Sequence, residues 1–115
     1  MTTEGTGELV RVDGQGYALR GELGFQSVTA LWRQAERDVD FSAATALDLQ
    51  AVQRSDSAGV AFLLAWVRRA RQQGGAVTFT RVPEQIRAIA GTCGVREILA
   101  LDVPAADSEQ QELQA

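Results

Sequence analysis

The sequence predicts a mixed α/β fold: a four- to five-stranded sheet with a parallel centre and an antiparallel edge, packed against about three helices. Two short alternating segments, 9–13 and 17–21, flank the turn residues Gly14-Gln15-Gly16, an arrangement typical of a hairpin. After residue 24, helical and strand patterns follow one another along the chain. Strands that are joined through helices pair in parallel, so the hairpin supplies the antiparallel edge.

Three helices are predicted from apolar side chains that recur with the helical period. The first spans 25–39, the second spans 56–73, and the third begins at Pro83 and ends at Gly91 or Gly94. The apolar stripe of the first helix is formed by Val28, Leu31, Trp32 and Ala35. The stripe of the second helix is formed by Val60, Leu63, Leu64, Val67 and Ala70.

The remaining strands are short and largely apolar. Residues 44–49 have the composition of an interior parallel strand, residues 76–80 are rich in β-branched residues, and 95–101 is a candidate edge strand. Residues 1–8 are rich in Gly, Thr and Glu, and 102–115 form an acidic tail without basic residues, so both ends are predicted to be disordered. The acidic residues of the tail are Asp102, Asp107, Glu109 and Glu112.

The chain has 115 residues, which is enough for one domain, and we assign that domain to residues 9–101. The tail accounts for the net charge of −4, so the body is neutral and has no basic patch for nucleic acid. The N-terminus lacks the basic and apolar regions of a signal peptide. The longest apolar run, 58–67, is about half of the roughly 20 residues that span a bilayer. We therefore expect a cytoplasmic protein that does not insert into the membrane.

The residues of most catalytic and metal sites are missing. The chain has no His, and Cys93 is its one cysteine, which argues against Ser–His catalysis and against a zinc site. Neither a Walker A loop nor a GxGxxG sequence occurs. The carboxylates show no spacing that pairs them for acid–base chemistry. We expect no catalytic residue, no cofactor and no metal.

The start of the second helix is the main candidate site. Asp56 is a favourable N-cap, because its carboxylate accepts from N–H groups of the first turn and complements the helix dipole. Ser57 follows in that turn, where an added phosphate would meet the same N–H groups, while Asp56 would oppose a second negative charge. The residues alone leave two interpretations open: a capping pair, or a docking and regulatory surface.

Two aromatic side chains on the second helix form a further candidate. Phe62 and Trp66 lie roughly opposite the core stripe when the helix is drawn at about 100° per residue. Aromatic side chains outside a core stripe are enriched at protein interfaces, although a neighbouring helix of the same domain could also cover them. Both interpretations remain open at this point.

The order and spacing of several short motifs resemble the STAS domain family over roughly residues 9–101. Gly21-Glu22-Leu23 is similar to the family's GEL segment. Leu47-Asp48-Leu49 is similar to the strand that precedes the second helix in the family. Ser55-Asp56-Ser57-Ala58-Gly59 matches the D-S/T-x-G start of that helix. Residues 73–77 are similar to the link to the next strand. Leu31-Trp32 and the run 60–64 resemble the MlaB-like branch in particular.

This resemblance implies a small cytoplasmic subunit of a phospholipid-transport ABC complex that maintains outer-membrane lipid asymmetry. Its implied partner is an MlaF-like ATPase, and through the ATPase an MlaE-like permease and an MlaD-like subunit, which would place the chain at the inner membrane. The surface expected to contact the ATPase consists of Ser55, Asp56, Ser57, Ala58, Gly59, Phe62 and Trp66.

A second branch of the family implies a different function. In anti-sigma factor antagonists, the serine that Ser57 matches is phosphorylated by the anti-sigma factor, which is a kinase. Gly24 stands where those antagonists usually carry Asp after the GEL segment, in a loop that flanks their partner surface. The antagonist, regulated by phosphorylation of Ser57, is therefore the alternative prediction.

Overall fold

The computed structural model describes residues 6–14 and 16–100. Strands and helices alternate after an opening pair of strands. The elements are β1 (Gly7–Asp13), β2 (Gly16–Leu23), α1 (Val28–Asp38), β3 (Ala44–Ser55), α2 (Ser57–Gln72), β4 (Ala76–Thr80), α3 (Glu84–Cys93) and α4 (Arg96–Leu99).

The sheet has the order β1-β2-β3-β4. β1 pairs with β2 in the antiparallel sense, whereas β2 pairs with β3 and β3 with β4 in parallel. The predicted mixed sheet, with its antiparallel edge and parallel centre, is therefore confirmed. Parallel neighbours place the C-terminal ends of β2 and β3 at the same edge of the sheet, so Leu23 pairs with Ser55.

One face of the sheet carries the core. Along β3, the side chains of Thr45, Leu47 and Leu49 are buried and those between them are exposed or half-buried. The helices cover this face, and Leu31, Leu63 and the other apolar stripe residues pack on it. On the opposite face, Thr78 and its partner Ala46 are exposed.

Several boundaries differ from the sequence prediction, and three of these differences have a clear physical reason or consequence. β3 continues to Ser55 instead of ending at residue 49, because two register shifts against β2 let a strand without strict alternation stay paired. Residues 96–99 form α4 instead of an edge strand, since Gly94 ends α3 at φ +75° and the chain turns back to bury Leu99. β1 begins at Gly7, inside the segment predicted to be disordered.

The predicted acidic tail, 102–115, lies outside the described residues, as do residues 1–5. Within the described residues, every helix is too short or too polar to cross a bilayer.

Candidate functional site

The junction between β3 and α2 contains one residue outside regular structure, Asp56. It has an extended backbone, with φ −141° and ψ −169°, and it caps α2. Its Oδ1 accepts the backbone N–H of Gly59 at 3.1 Å, and its Oδ2 accepts the backbone N–H of Phe25 at 3.0 Å. The carboxylate therefore joins the first turn of α2 to the turn between β2 and α1.

These hydrogen bonds also favour the ionised form of Asp56. The N–H of Phe25 is the largest cause that lowers the pKa of this carboxyl below its usual value, and the N–H groups of Gly59 and Ala58 lower it further. Partial burial works in the opposite direction and raises the pKa. A carboxyl with a lowered pKa is charged at neutral pH, which makes Asp56 a structural acceptor and a poor general acid.

Ser55 and Gly59 build the junction beneath Asp56. The Ser55 hydroxyl donates to the carbonyl oxygen of Leu23 at 2.8 Å, and the Ser55 N–H donates to Oε1 of Gln85 at 2.9 Å. A Cβ at Gly59 would lie 2.1 Å from the Leu23 oxygen and 2.3 Å from Ser55 Oγ. Only glycine allows α2 to approach the strand ends so closely. The hydrogen bonds of Ser55 and the missing side chain of Gly59 therefore hold the start of α2 against the ends of β2 and β3.

Ser57 and Ala58 begin α2 and have surroundings that differ from those of Asp56. Ser57 is exposed at the first position of α2, and none of the described residues hydrogen-bonds with its hydroxyl. Ala58 is half-buried and lines a shallow, mainly apolar groove of about 480 Å³ between α1 and α2. The groove continues along α2 past Ala61 and Ala65, with Trp32 of α1 on its other side.

Of the two interpretations left open for Phe62 and Trp66, the structure supports the second, in which a neighbouring helix of the same domain covers them. Phe62 is 4% exposed and Trp66 is 0% exposed. α1 covers this side of α2, because the Trp32 ring lies edge-on to Phe62 with centroids 5.8 Å apart. Trp66 contacts the Phe41 ring at a centroid distance of 5.3 Å. Neither side chain offers a partner appreciable surface.

The structure adds two residues that the sequence did not single out. Phe25 is 80% exposed beside Asp56, and the Arg54 side chain is 76% exposed. Both line a cleft of about 450 Å³ with Glu22, Asp56 and Gln85. The first helix was predicted to begin at Phe25, but α1 begins only at Val28 and leaves Phe25 in the turn. The turn signal at Gly24 was the clue that could have identified it.

Among the described residues, no group of three His, Cys, Asp or Glu side chains could hold a metal ion. The acidic groups with resolved shifts, Asp40, Asp48 and Asp56, all have lowered pKa values through hydrogen bonds that outweigh burial. For Asp48 the largest single cause is burial, which raises its pKa, while the bonds from Arg81 and the Gln50 N–H lower it.

The sequence of the chain is similar to that of known proteins. The family model described as "Mlab, STAS domain" matches residues 10–101. The chain is 35% identical over 77 residues to the intermembrane phospholipid transport system binding protein MlaB of Escherichia coli (strain K12), covering 67% of this chain and 77% of that protein. The MlaB protein of Shigella flexneri matches with the same identity and coverage.

Two solved structures share the fold. One, described as "The overall structure of SLC26A9", superimposes with a TM-score of 0.60 and 17% identity over 71% of this chain, which spans 16% of that chain. Another, "Crystal Structure Analysis of Mglu", has a TM-score of 0.52 and 26% identity over 66% of this chain, which spans 19% of that one. The first likeness concerns the fold alone.

Proposed function

The chain belongs to the STAS domain family, and on this premise we propose that it is a non-enzymatic accessory subunit of an ABC-type phospholipid transporter, where it binds the ATPase. The relatives with 35% identity are named as binding proteins of an intermembrane phospholipid transport system. In this proposal the chain lies on the cytoplasmic side of the inner membrane and reaches the permease and an MlaD-like subunit through the ATPase. The transporter would maintain the lipid asymmetry of the outer membrane.

The observation that carries the proposal is the contrast between Ser57 and its neighbours. The side chains of Ser55 and Asp56 form hydrogen bonds within the domain. Gly59 has no side chain, and this allows α2 to pack closely against the strand ends. Ser57 stands exposed on this fixed support, and its hydroxyl has no hydrogen-bond partner among the described residues. An exposed hydroxyl on a backbone that is already held by hydrogen bonds favours binding to another protein, because little conformational entropy is lost on association.

The proposed mechanism is binding without chemistry. The first turn of α2, with Ser57 at its centre and the groove beside Ala58, docks on the ATPase. A subunit that binds only the folded or assembled ATPase stabilises that state by mass action. The stabilisation is about 2.7 kcal/mol when the concentration of the free subunit is 100 times Kd. The transporter subunit would thus hold its ATPase in the assembled form.

The test is retention of the ATPase by a tagged copy of the chain. We expect Ser57→Arg and Ser57→Glu to abolish co-purification, because each places a large charged group in the contact, whereas Ser57→Thr retains it. Thr78→Arg is the matched control, since it adds the same charge on the exposed face of β4, away from α2. Circular dichroism and thermal melts check that every variant is folded. Undiminished retention by Ser57→Arg would contradict the docking model.

The antagonist function is the second candidate, and the exposed Ser57 hydroxyl also favours it. A kinase could reach this hydroxyl without local unfolding, because no described residue covers it with a hydrogen bond. This alternative expects a stable complex with a small kinase-like protein and one phosphate on Ser57 after incubation with ATP. Intact-mass spectrometry measures the modification, and Ser57→Ala is the control. An unmodified wild-type chain would argue against the antagonist function.

A further inference from the structure

The junction presents one large apolar side chain to solvent. Phe25 is 80% exposed, and it is the only exposed residue among the aromatic ones, all of which lie in the described ranges. It therefore contributes little to the core. Single exposed apolar side chains are common, so exposure alone does not assign a function. The backbone that carries Phe25 supplies the second observation.

The turn that carries Phe25 is held by a set of short hydrogen bonds. Ser27, which is only 4% exposed, accepts the Gly24 N–H through Oγ at 3.0 Å and donates to the Glu22 carbonyl oxygen at 2.7 Å. The Ser27 N–H donates to the Gly24 oxygen at 2.9 Å. Asp56 accepts the Phe25 N–H from across the site. The aromatic ring is thus presented on a fixed backbone, so little ordering is left to do on binding.

The surroundings of Phe25 indicate what it would meet. Arg54 lies on the same cleft, and its guanidinium is 3.5 Å from the Glu22 carboxylate. Because the Arg54 side chain is 76% exposed, this ion pair is solvent-screened and leaves donors for another acceptor. An aromatic side chain beside an arginine is the combination that dominates the energy of many protein interfaces.

We propose that Phe25 is the apolar anchor of this surface and inserts into an apolar socket on the ATPase, whose rim carries a carboxylate that meets Arg54. This inference rests on the proposed function and names the anchor that Phe62 and Trp66 cannot supply, since both are buried. Asp56 and Ser27 act as positioning residues, because their side chains fix the turn that carries Phe25.

The experiment measures Kd between the purified chain and the ATPase subunit of the same organism. We expect Phe25→Ala to raise Kd roughly 30-fold or more, as truncation of an anchor does. Phe25→Leu, which keeps an apolar side chain, should stay within about fivefold of wild type. Arg54→Ala should raise Kd by a smaller factor that shrinks as salt is added.

Val12→Ala is the matched control. Val12 is 61% exposed near the β1–β2 turn, whereas Phe25 follows the C-terminal end of β2, so the two lie at opposite ends of the sheet. We expect this variant to bind like wild type. Because both Val12 and Phe25 are exposed, neither truncation should unfold the domain, and thermal melts verify this.

The outcomes separate this inference from the proposed function. If Ser57→Arg abolishes binding while Phe25→Ala leaves Kd unchanged, the anchor is wrong and the accessory subunit stands. If the wild-type chain does not bind the ATPase, both proposals fail. If Phe25→Ala leaves ATPase binding intact but converts a dimer of the chain to monomers in sedimentation, the ring serves a second copy, and the ATPase socket is overturned.

Discussion

The aromatic side chains around α2 fall into two regions with opposite environments. Phe62 and Trp66 are buried in a cluster with Tyr17, Trp32 and Phe41, whereas Phe25 stands in solvent a few residues before α1. Both regions lie beside the same helix. The difference teaches that distance from the apolar stripe of a helix does not tell whether a side chain is exposed.

The reason is that α2 is covered from more than one direction. Val60 and Leu63 are buried in the core, while α1 covers the Phe62 side of α2. Arg69 of α2 lies over the Trp32 ring at 5.3 Å from its centroid. Phe25 has no such cover, since its turn is on the rim of the cleft. Stability should therefore depend on the buried cluster, and recognition on the exposed ring.

The largest expected effect on stability comes from Trp66→Ala. Removing a fully buried indole should lower the free energy of unfolding by about 3–5 kcal/mol, whereas Phe25→Ala should change it by less than about 0.5 kcal/mol. Urea denaturation of both variants measures the contrast. Similar midpoints for the two variants would contradict the division into a structural and a recognition region.

A second variant at the same position sharpens this result. Trp66 Nε1 is buried and finds no hydrogen-bond partner among the described residues. Trp66→Phe removes that donor while keeping a ring, so it should cost clearly less than Trp66→Ala. If both substitutions cost the same, ring volume is not what stabilises the cluster.

The next effect is expected for Gly59→Ala, at about 2–3 kcal/mol. The added Cβ would lie 2.1 Å from the carbonyl oxygen of Leu23, so the first turn of α2 must move away from the strand ends. Gly91→Ala in α3 is the control, because the atoms nearest to its Cβ belong to the long Arg96 side chain, the closest at 3.1 Å, and not to backbone. Thermal melts should show a lower Tm for the first variant and an unchanged or higher Tm for the second.

A smaller effect, with a pH dependence, is expected for Asp56→Ala. Loss of the cap should cost about 1–2 kcal/mol at pH 7. The pKa of Asp56 is lowered in the folded chain, so its contribution is present above the ordinary value of 3.8 and is lost as pH falls through the lower, folded value. The difference in free energy of unfolding between wild type and Asp56→Ala should therefore become smaller below about pH 4.

Chemical denaturation between pH 7 and pH 3 measures this difference. Glu8→Ala removes an exposed carboxylate from β1 and serves as the control, with little effect at either pH. A gap between wild type and Asp56→Ala that stays constant down to pH 3 would show that the charge of Asp56 is not what stabilises the junction.

Much of the fold could be predicted because its signals are local. The glycines of the hairpin, the cap at Asp56 and Gly74, which has φ +83°, mark turns and helix ends with the residues those conformations require. The extension of β3 to Ser55 could not be predicted in this way. It depends on bulges against β2 and on the Gln85 side chain from α3, and neither leaves a local pattern.

The candidate site also combines features that the local sequence predicts with features that depend on tertiary contacts. The cap at Asp56 and the exposed Ser57 follow from their place at the start of a helix. The bond from Phe25 to Asp56 joins residues 31 positions apart, so no local pattern encodes it. The burial of Phe62 and Trp66 likewise depends on how α1 crosses α2, which periodicity within α2 does not contain.

The direct passage from β3 into α2 has a consequence for changes in chain length. Asp56 alone separates Ser55, which is bound to the strand ends, from Ser57, the first helical residue. One inserted residue would turn the start of the helix by about 100° and shift it by about 1.5 Å. Ser57, Gly59 and the cap could not then all keep their places. Insertions and deletions should therefore be absent between residues 54 and 60 in related chains, even where the sequence around them diverges.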